Sequence, residues 1–118
     1  MKPLYILIGM AVLLFASCGQ QHEAKSVVKD FMSGQLHKDV SYLDFTDVDS
    51  THFITDSLIQ ALRQRAPQGI QYQQWNDRIL LHIRAQYLEG DDTCSATFYL
   101  DRNATGVVAF KMNGDGVD

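Results

Sequence analysis

Apolar residues in this chain keep three different rhythms, and each predicts a different kind of element. The first is an unbroken run. Leu4 to Phe15 holds twelve residues without a charge, behind Met1 and Lys2. The second is helical: over 23–36 apolar residues recur at Ala24, Val27, Val28, Phe31, Met32 and Leu36, the spacing of one helical face. Lys25, Lys29 and Asp30 fall on its wet side, and Gly34 weakens the last turn. The third is alternation. Ile79, Leu81, Ile83, Ala85 and Tyr87 oppose Leu80, His82, Arg84, Gln86 and Leu88, which predicts a strand with one apolar face. After a turn at 89–92, Cys94, Ala96, Phe98 and Leu100 alternate with Ser95, Thr97 and Tyr99; 101–106 turns again and 107–112 returns. The expectation is an antiparallel meander of three strands, or four if 72–75 also pairs.

Between the helix and the meander lies the most acidic stretch, with Asp39, Asp44, Asp47, Asp49 and Asp56 and no lysine or arginine between Lys38 and Arg63. Its interleaved Val40, Tyr42, Leu43, Phe45, Phe53 and Ile54 predict that it folds back on the core. Thr55 or Asp56 can then cap a second helix, with Leu58, Ile59, Ala61 and Leu62 as its buried side and Pro67 and Gly69 ending it. Helices followed by antiparallel strands make the fold class α+β, with N-terminal amphipathic helices on a curved antiparallel sheet of three to four strands.

The apolar run at the start is too short for a membrane span, which needs about 20 apolar residues. Small residues Ala16 and Ser17 precede Cys18, as a peptidase with narrow pockets requires. Phe15-Ala16-Ser17-Cys18, followed by Gly19, resembles the lipobox of bacterial lipoprotein signal peptides, with Phe15 where leucine is usual. The resemblance implies a diacylglyceryl group on the Cys18 sulfur, removal of residues 1–17, acylation of the new amino terminus and a lipidated tether at 18–22. Three acyl chains make a durable anchor where one gives only reversible binding. Gly19 in place of an aspartate after the cysteine implies the outer membrane. Two cysteines would otherwise invite a disulfide; a lipid thioether on Cys18 leaves Cys94 alone, expected as a small buried apolar residue on a strand.

The remaining 23–118 are expected as a single small domain. The helix at 24–36, an acidic Asp/Tyr-containing connection, a second short helix and hairpins ending in Asp101-Arg102-Asn103-Ala104-Thr105-Gly106 resemble exported proteins of the nuclear-transport-factor-2-like, or cystatin-like, fold. That resemblance implies a cone-like architecture and no particular activity, since enzymes and binders share it.

Charge and candidate chemistry narrow the function. Without the leader and its Lys2, nine basic residues face fourteen acidic ones, a poor balance for nucleic acid. Asp47-Val48-Asp49-Ser50-Thr51 starts like a calcium loop but has His52 and Leu58 where glycine and glutamate are required. Asp101 to Gly106 has oxygens at alternate positions and the glycine, but Met112 at the twelfth; a hairpin turn accounts for the same residues. His22, His37, His52 and His82 show no metal-ligand spacing, so no metal or cofactor is expected; His22 falls in the tether, and His37 is placed to meet the last carbonyls of the first helix. His82 shares its strand face with Arg84 and Gln86, and Tyr99 can lie on the neighbouring strand, which makes His82, Arg84 and Tyr99 a candidate polar pocket. Asp49-Ser50-Thr51 and Asp56-Ser57-Leu58 resemble aspartate-plus-hydroxyl sites of bacterial O-glycan attachment. The expected role is a protein-binding or accessory module of the envelope, held to the membrane by lipid, with an envelope protein as partner. The alternative is a small-ligand binder or isomerase-like enzyme using His82, Arg84 and Tyr99.

Overall fold

Helix α1 (residues 20–34) seats Ala24, Val28, Phe31 and Met32 in the core, four positions on one stripe. These coordinates, a computed structural model, describe residues 20–51, 54–74 and 79–112. Residues 1–19 with Cys18, His52, Phe53, Trp75 and the tail 113–118 lie outside the described residues. The described chain is helical from residue 20 onward, so Gln21 and His22 lie in α1. The Gln21 amide donates to the Thr46 carbonyl at 2.9 Å and accepts from the Val48 N–H at 2.6 Å. Past the helix, His37 takes a left-handed conformation (φ 54°), and the Lys38 N–H returns to the Met32 carbonyl at 2.9 Å. Backbone N–H groups of Gln35 and Leu36 meet the Phe31 carbonyl, so His37 contributes a reversal of direction.

Five strands follow: β1 (Ser41–Phe45), β2 (Asp49–Ser50), β3 (Leu81–Glu89), β4 (Asp92–Leu100) and β5 (Val107–Met112), with α2 (Asp56–Arg65) between β2 and β3. They form an open antiparallel sheet in the order β1-β3-β4-β5, with β2 pairing β3 in line with β1. The described chain is α+β. Of the fourth pairing expected at 72–75, the described residues 72–74 show one bond, from the Gln73 N–H to the Val107 carbonyl at 2.8 Å. The acidic connection takes that place on the opposite edge. It hid from the alternation because its register slips between Tyr42 and Asp44, leaving Leu43 out of the pairing. A bulge of this kind brings residues of opposite parity to one side: Tyr42 and Phe45 stack at 5.3 Å, while Leu43 is 52% exposed. Lys25 and Lys29 of α1 stand 5.6 Å over the Phe45 and Tyr42 rings respectively, a cation–π seam along the edge of the helix.

Glu89 and Asp92 pair across a two-residue loop, Gly90-Asp91, whose first residue needs φ +64°. Glycine takes that conformation without a Cβ clash. The loop at 101–106 closes through Asp101: its carboxylate accepts the N–H groups of Thr105 and Gly106 at 2.8 Å each and the Thr105 hydroxyl. Those donors occupy the oxygens that a calcium loop would aim at a cation. Gly106 serves a close approach, since a Cβ there would fall 2.8 Å from the Cβ of Gln73.

A second slip, between Tyr99 and Leu100, leaves Val108 of β5 without a partner on β4. Val107 and Phe110 therefore join one buried cluster, and Val108 and Ala109 join another. The first cluster unites the α1 stripe with Leu81, Ile83, Ala85, Tyr87, Ala96, Phe98 and Leu100. Phe31, Phe98 and Phe110 form its aromatic centre, with ring centroids 5.3–6.1 Å apart. The second unites Ile59 and Leu62 of α2 with Ile54, Leu80, Val108 and Ala109. Thr55 caps α2 by accepting the Leu58 N–H at 3.2 Å. The buried side of α2 is narrower than its sequence suggests: Leu58 and Ala61 are exposed, because one strand offers this short helix a single contact stripe. Ile79 is exposed too, and Leu80 is buried in its stead.

Phe98 touches both other rings and is fully buried. Phe98→Ala is expected to lower unfolding stability by about 3–5 kcal/mol, whereas Leu43→Ala should change it by less than about 0.5 kcal/mol. Urea unfolding of both variants checks this; equal costs would contradict the bulge at Leu43.

Candidate cleft at the hairpin end of the sheet

The apolar face of the meander runs on to the β3–β4 hairpin, beyond the stripe that α1 covers. There Tyr87 and Cys94 face each other across the strands, and Met112 pairs beside Ala96. The end of α1 contributes Leu36 and Lys38 above them, and the end of α2 contributes Leu62, Arg65 and Ala66. Between these parts lies a cleft of about 820 Å³, within the usual range for small-molecule sites. Its floor is apolar and soft: the Tyr87 hydroxyl lies 3.4 Å from the Met112 sulfur. Its rim is cationic, with Lys38, Arg65 and Lys111 against one carboxylate, Glu89. Lys38 and Glu89 pair at 2.8 Å, both partly exposed, which contributes at most about 1 kcal/mol. Arg65 sits in the last turn of α2, where a cation also offsets the negative end of the helix dipole.

Cys94 was expected buried and is half-exposed in this cleft as a free thiol. The reason is positional: it stands two residues from the start of β4, past the end of the helical cover. Sequence reasoning placed Cys94 and Tyr87 on the apolar face correctly. It missed Leu36, Lys38 and Arg65, which come from helix ends whose approach to the hairpin no local pattern records.

One side chain holds the wall formed by α2. Arg63 donates from Nε to the carbonyl of the bulged Val108 at 2.9 Å and from Nη2 to the Gln73 carbonyl at 3.3 Å. Its guanidinium lies 4.6 Å over the Tyr72 ring. Burial pushes the Arg63 pKa down, opposed by Tyr72, and pushes the Tyr72 hydroxyl up, opposed by Arg63. The Tyr72 hydroxyl is buried with no hydrogen-bond partner among the described residues. Tyr42 is also raised, by burial first and then by Asp39 and Asp30.

His82, Arg84 and Tyr99 share the opposite face of the sheet. His82 pairs directly with Tyr99, Arg84 pairs with Thr97, and the Arg84 guanidinium donates to the Ser95 hydroxyl at 3.2 Å. His82 and Tyr99 are half-buried, Arg84 is exposed, and Tyr99 leans on the α2 cluster. The three therefore stand together on a broad sheet face rather than around the cleft. Among the described residues, no group of three or more His, Cys, Asp or Glu could hold a metal ion, and no helix is long and apolar enough to cross a membrane. Of the two hydroxyl sites, Ser50 lies on β2 and Ser57 in the first turn of α2.

Compared with known proteins, the chain matches no family model, and no curated protein or solved structure is significantly similar to it.

The Arg63 contacts run in two directions, which a lysine ammonium cannot reproduce. Arg63→Lys and Arg63→Ala should both lose about 2–3 kcal/mol in urea unfolding, whereas Tyr72→Phe should be neutral or stabilising by up to about 1 kcal/mol. A full rescue by lysine would show that charge alone matters. Tyr42 and Tyr72 hold their protons in the folded state above the ordinary tyrosine value of 10.0. The unfolded chain releases those protons first, so this stability is intact below pH 10 and declines as pH climbs past it. Repeating the unfolding of a Tyr42→Phe/Tyr72→Phe variant across that range should give a visibly shallower decline than the parent; identical slopes would contradict it.

Proposed function

We propose that this chain is a lipid-anchored envelope lipoprotein whose α+β domain is a binding module, displayed at the outer membrane and working as an accessory to a partner or ligand. The anchor rests on Phe15-Ala16-Ser17-Cys18 and Gly19. Binding rests on one observation, the cleft of about 820 Å³ with an apolar floor and a cationic rim. In this reading the helix-and-sheet arrangement is a small cone of the nuclear-transport-factor-2-like type, with the cleft as its mouth. The order of elements and the open antiparallel sheet support that assignment.

The described part of α1, residues 20–34, is about 22 Å long at the helical rise per residue. Leu36 and Lys38 border the cleft just beyond its far end. The cleft therefore lies about one helix length from residue 20. The small-ligand alternative is favoured at this cleft, which His82, Arg84 and Tyr99 do not line; of those three, Tyr99 packs against the α2 cluster and Arg84 is exposed.

Replacing Cys18 with alanine tests the anchor. The expected result is an unprocessed, slower-migrating chain that no longer incorporates labelled palmitate. Unchanged mobility together with unchanged membrane fractionation would refute the lipoprotein reading.

A further inference from the structure

We propose that the cleft takes an amphipathic monoanion: an aliphatic chain ending in a carboxylate, of the free-fatty-acid class. This rests on the binding-module reading and names its ligand. Three observations carry it. The floor offers Leu36, Leu62, Tyr87, Phe110 and Met112, apolar side chains with few directional demands, and each methylene buried on such a surface contributes favourably. Methionine in particular adapts to a flexible guest.

The second observation is charge. The chain as a whole carries −4, yet the cleft is lined by three cations and one carboxylate. The single carboxylate, Glu89, is already engaged by Lys38 at 2.8 Å. Arg65 forms no ion pair with a described carboxylate, and its planar guanidinium suits bidentate recognition of an incoming one. A cationic rim within an acidic protein favours an anion and repels an apolar cation of the same length. The third is enclosure: residues of the sheet and of two helix ends line the cleft together, and its volume of about 820 Å³ is that of a small-molecule site.

Cys94 lines the same cleft and reports its occupancy. The experiment uses the full chain, expressed with its leader and reconstituted in lipid nanodiscs, and follows maleimide labelling of Cys94 by peptide mapping. Decanoate is the probe, with decanol and decyltrimethylammonium as neutral and cationic controls of equal chain length. Decanoate should slow Cys94 labelling by about tenfold at ten times its apparent Kd, as mass action requires, and the controls should not. Arg65→Glu and Lys38→Glu, with their fold checked by circular dichroism, should each raise the half-protecting concentration about tenfold or more. Absence of protection, equal protection by decanol or decyltrimethylammonium, or protection only by an acidic apolar peptide would overturn the proposal. A maleimide adduct on Cys18 in the same peptide map would refute the lipid anchor separately, whatever happens at Cys94.

Discussion

The structure turns on the unpaired residue in β5. A regular strand would send Val107 and Phe110 to opposite faces of the sheet, and Val108 and Ala109 likewise. The slip at Val108 puts Val107 with Phe110 and Val108 with Ala109, so one strand closes two apolar clusters. It also turns the Val108 carbonyl outward, where Arg63 accepts the role of its partner by donating Nε–H. Through that bond, the Gln73 carbonyl and the Tyr72 ring, one guanidinium ties α2, the segment before β3 and the sheet edge together. Satisfying a bulge carbonyl by an arginine instead of a neighbouring strand also blunts an edge that could otherwise pair with another chain.

The position of α2 determines what is open. Because its short buried stripe is spent on Val108 and Ala109, only its last turn reaches toward the hairpin. α1 covers the aromatic centre of Phe31, Phe98 and Phe110; Tyr87 is still buried, while Cys94, across from it, is half-exposed. The cleft is the space both helices leave over the far end of one apolar sheet face. Two of its three cations, Lys38 and Arg65, come from the ends of α1 and α2, where a helix C-terminus favours lysine and arginine; the third, Lys111, comes from β5.

Much of this was legible in the sequence. The stripe of Ala24, Val28, Phe31 and Met32, the alternation from Leu81 to Tyr87 and from Cys94 to Leu100, and a cap at Thr55 or Asp56, which the structure places at Thr55, all rest on local periodicity or local hydrogen bonding. The edge strands β1 and β2 did not, because a bulge at Leu43 and a break before Asp49 destroy the period-two signal that a strand is read from. The site was the least legible part. His82, Arg84 and Tyr99 were correctly placed on one face, yet which face a helix covers is a long-range outcome. The cleft residues Leu36 and Lys38, Arg65, and Cys94 come from three separate places in the chain and share no motif.

The proposed working surface of this domain is the cleft beneath the two helix ends and not the polar sheet face behind it. Amide chemical-shift mapping of the full chain in nanodiscs, titrated with decanoate, tests that most directly. The account predicts saturable shifts at Leu36, Arg65, Tyr87, Cys94 and Met112 with His82, Arg84 and Tyr99 undisturbed. Shifts centred on His82, Arg84 and Tyr99, with the cleft residues unmoved, would contradict it.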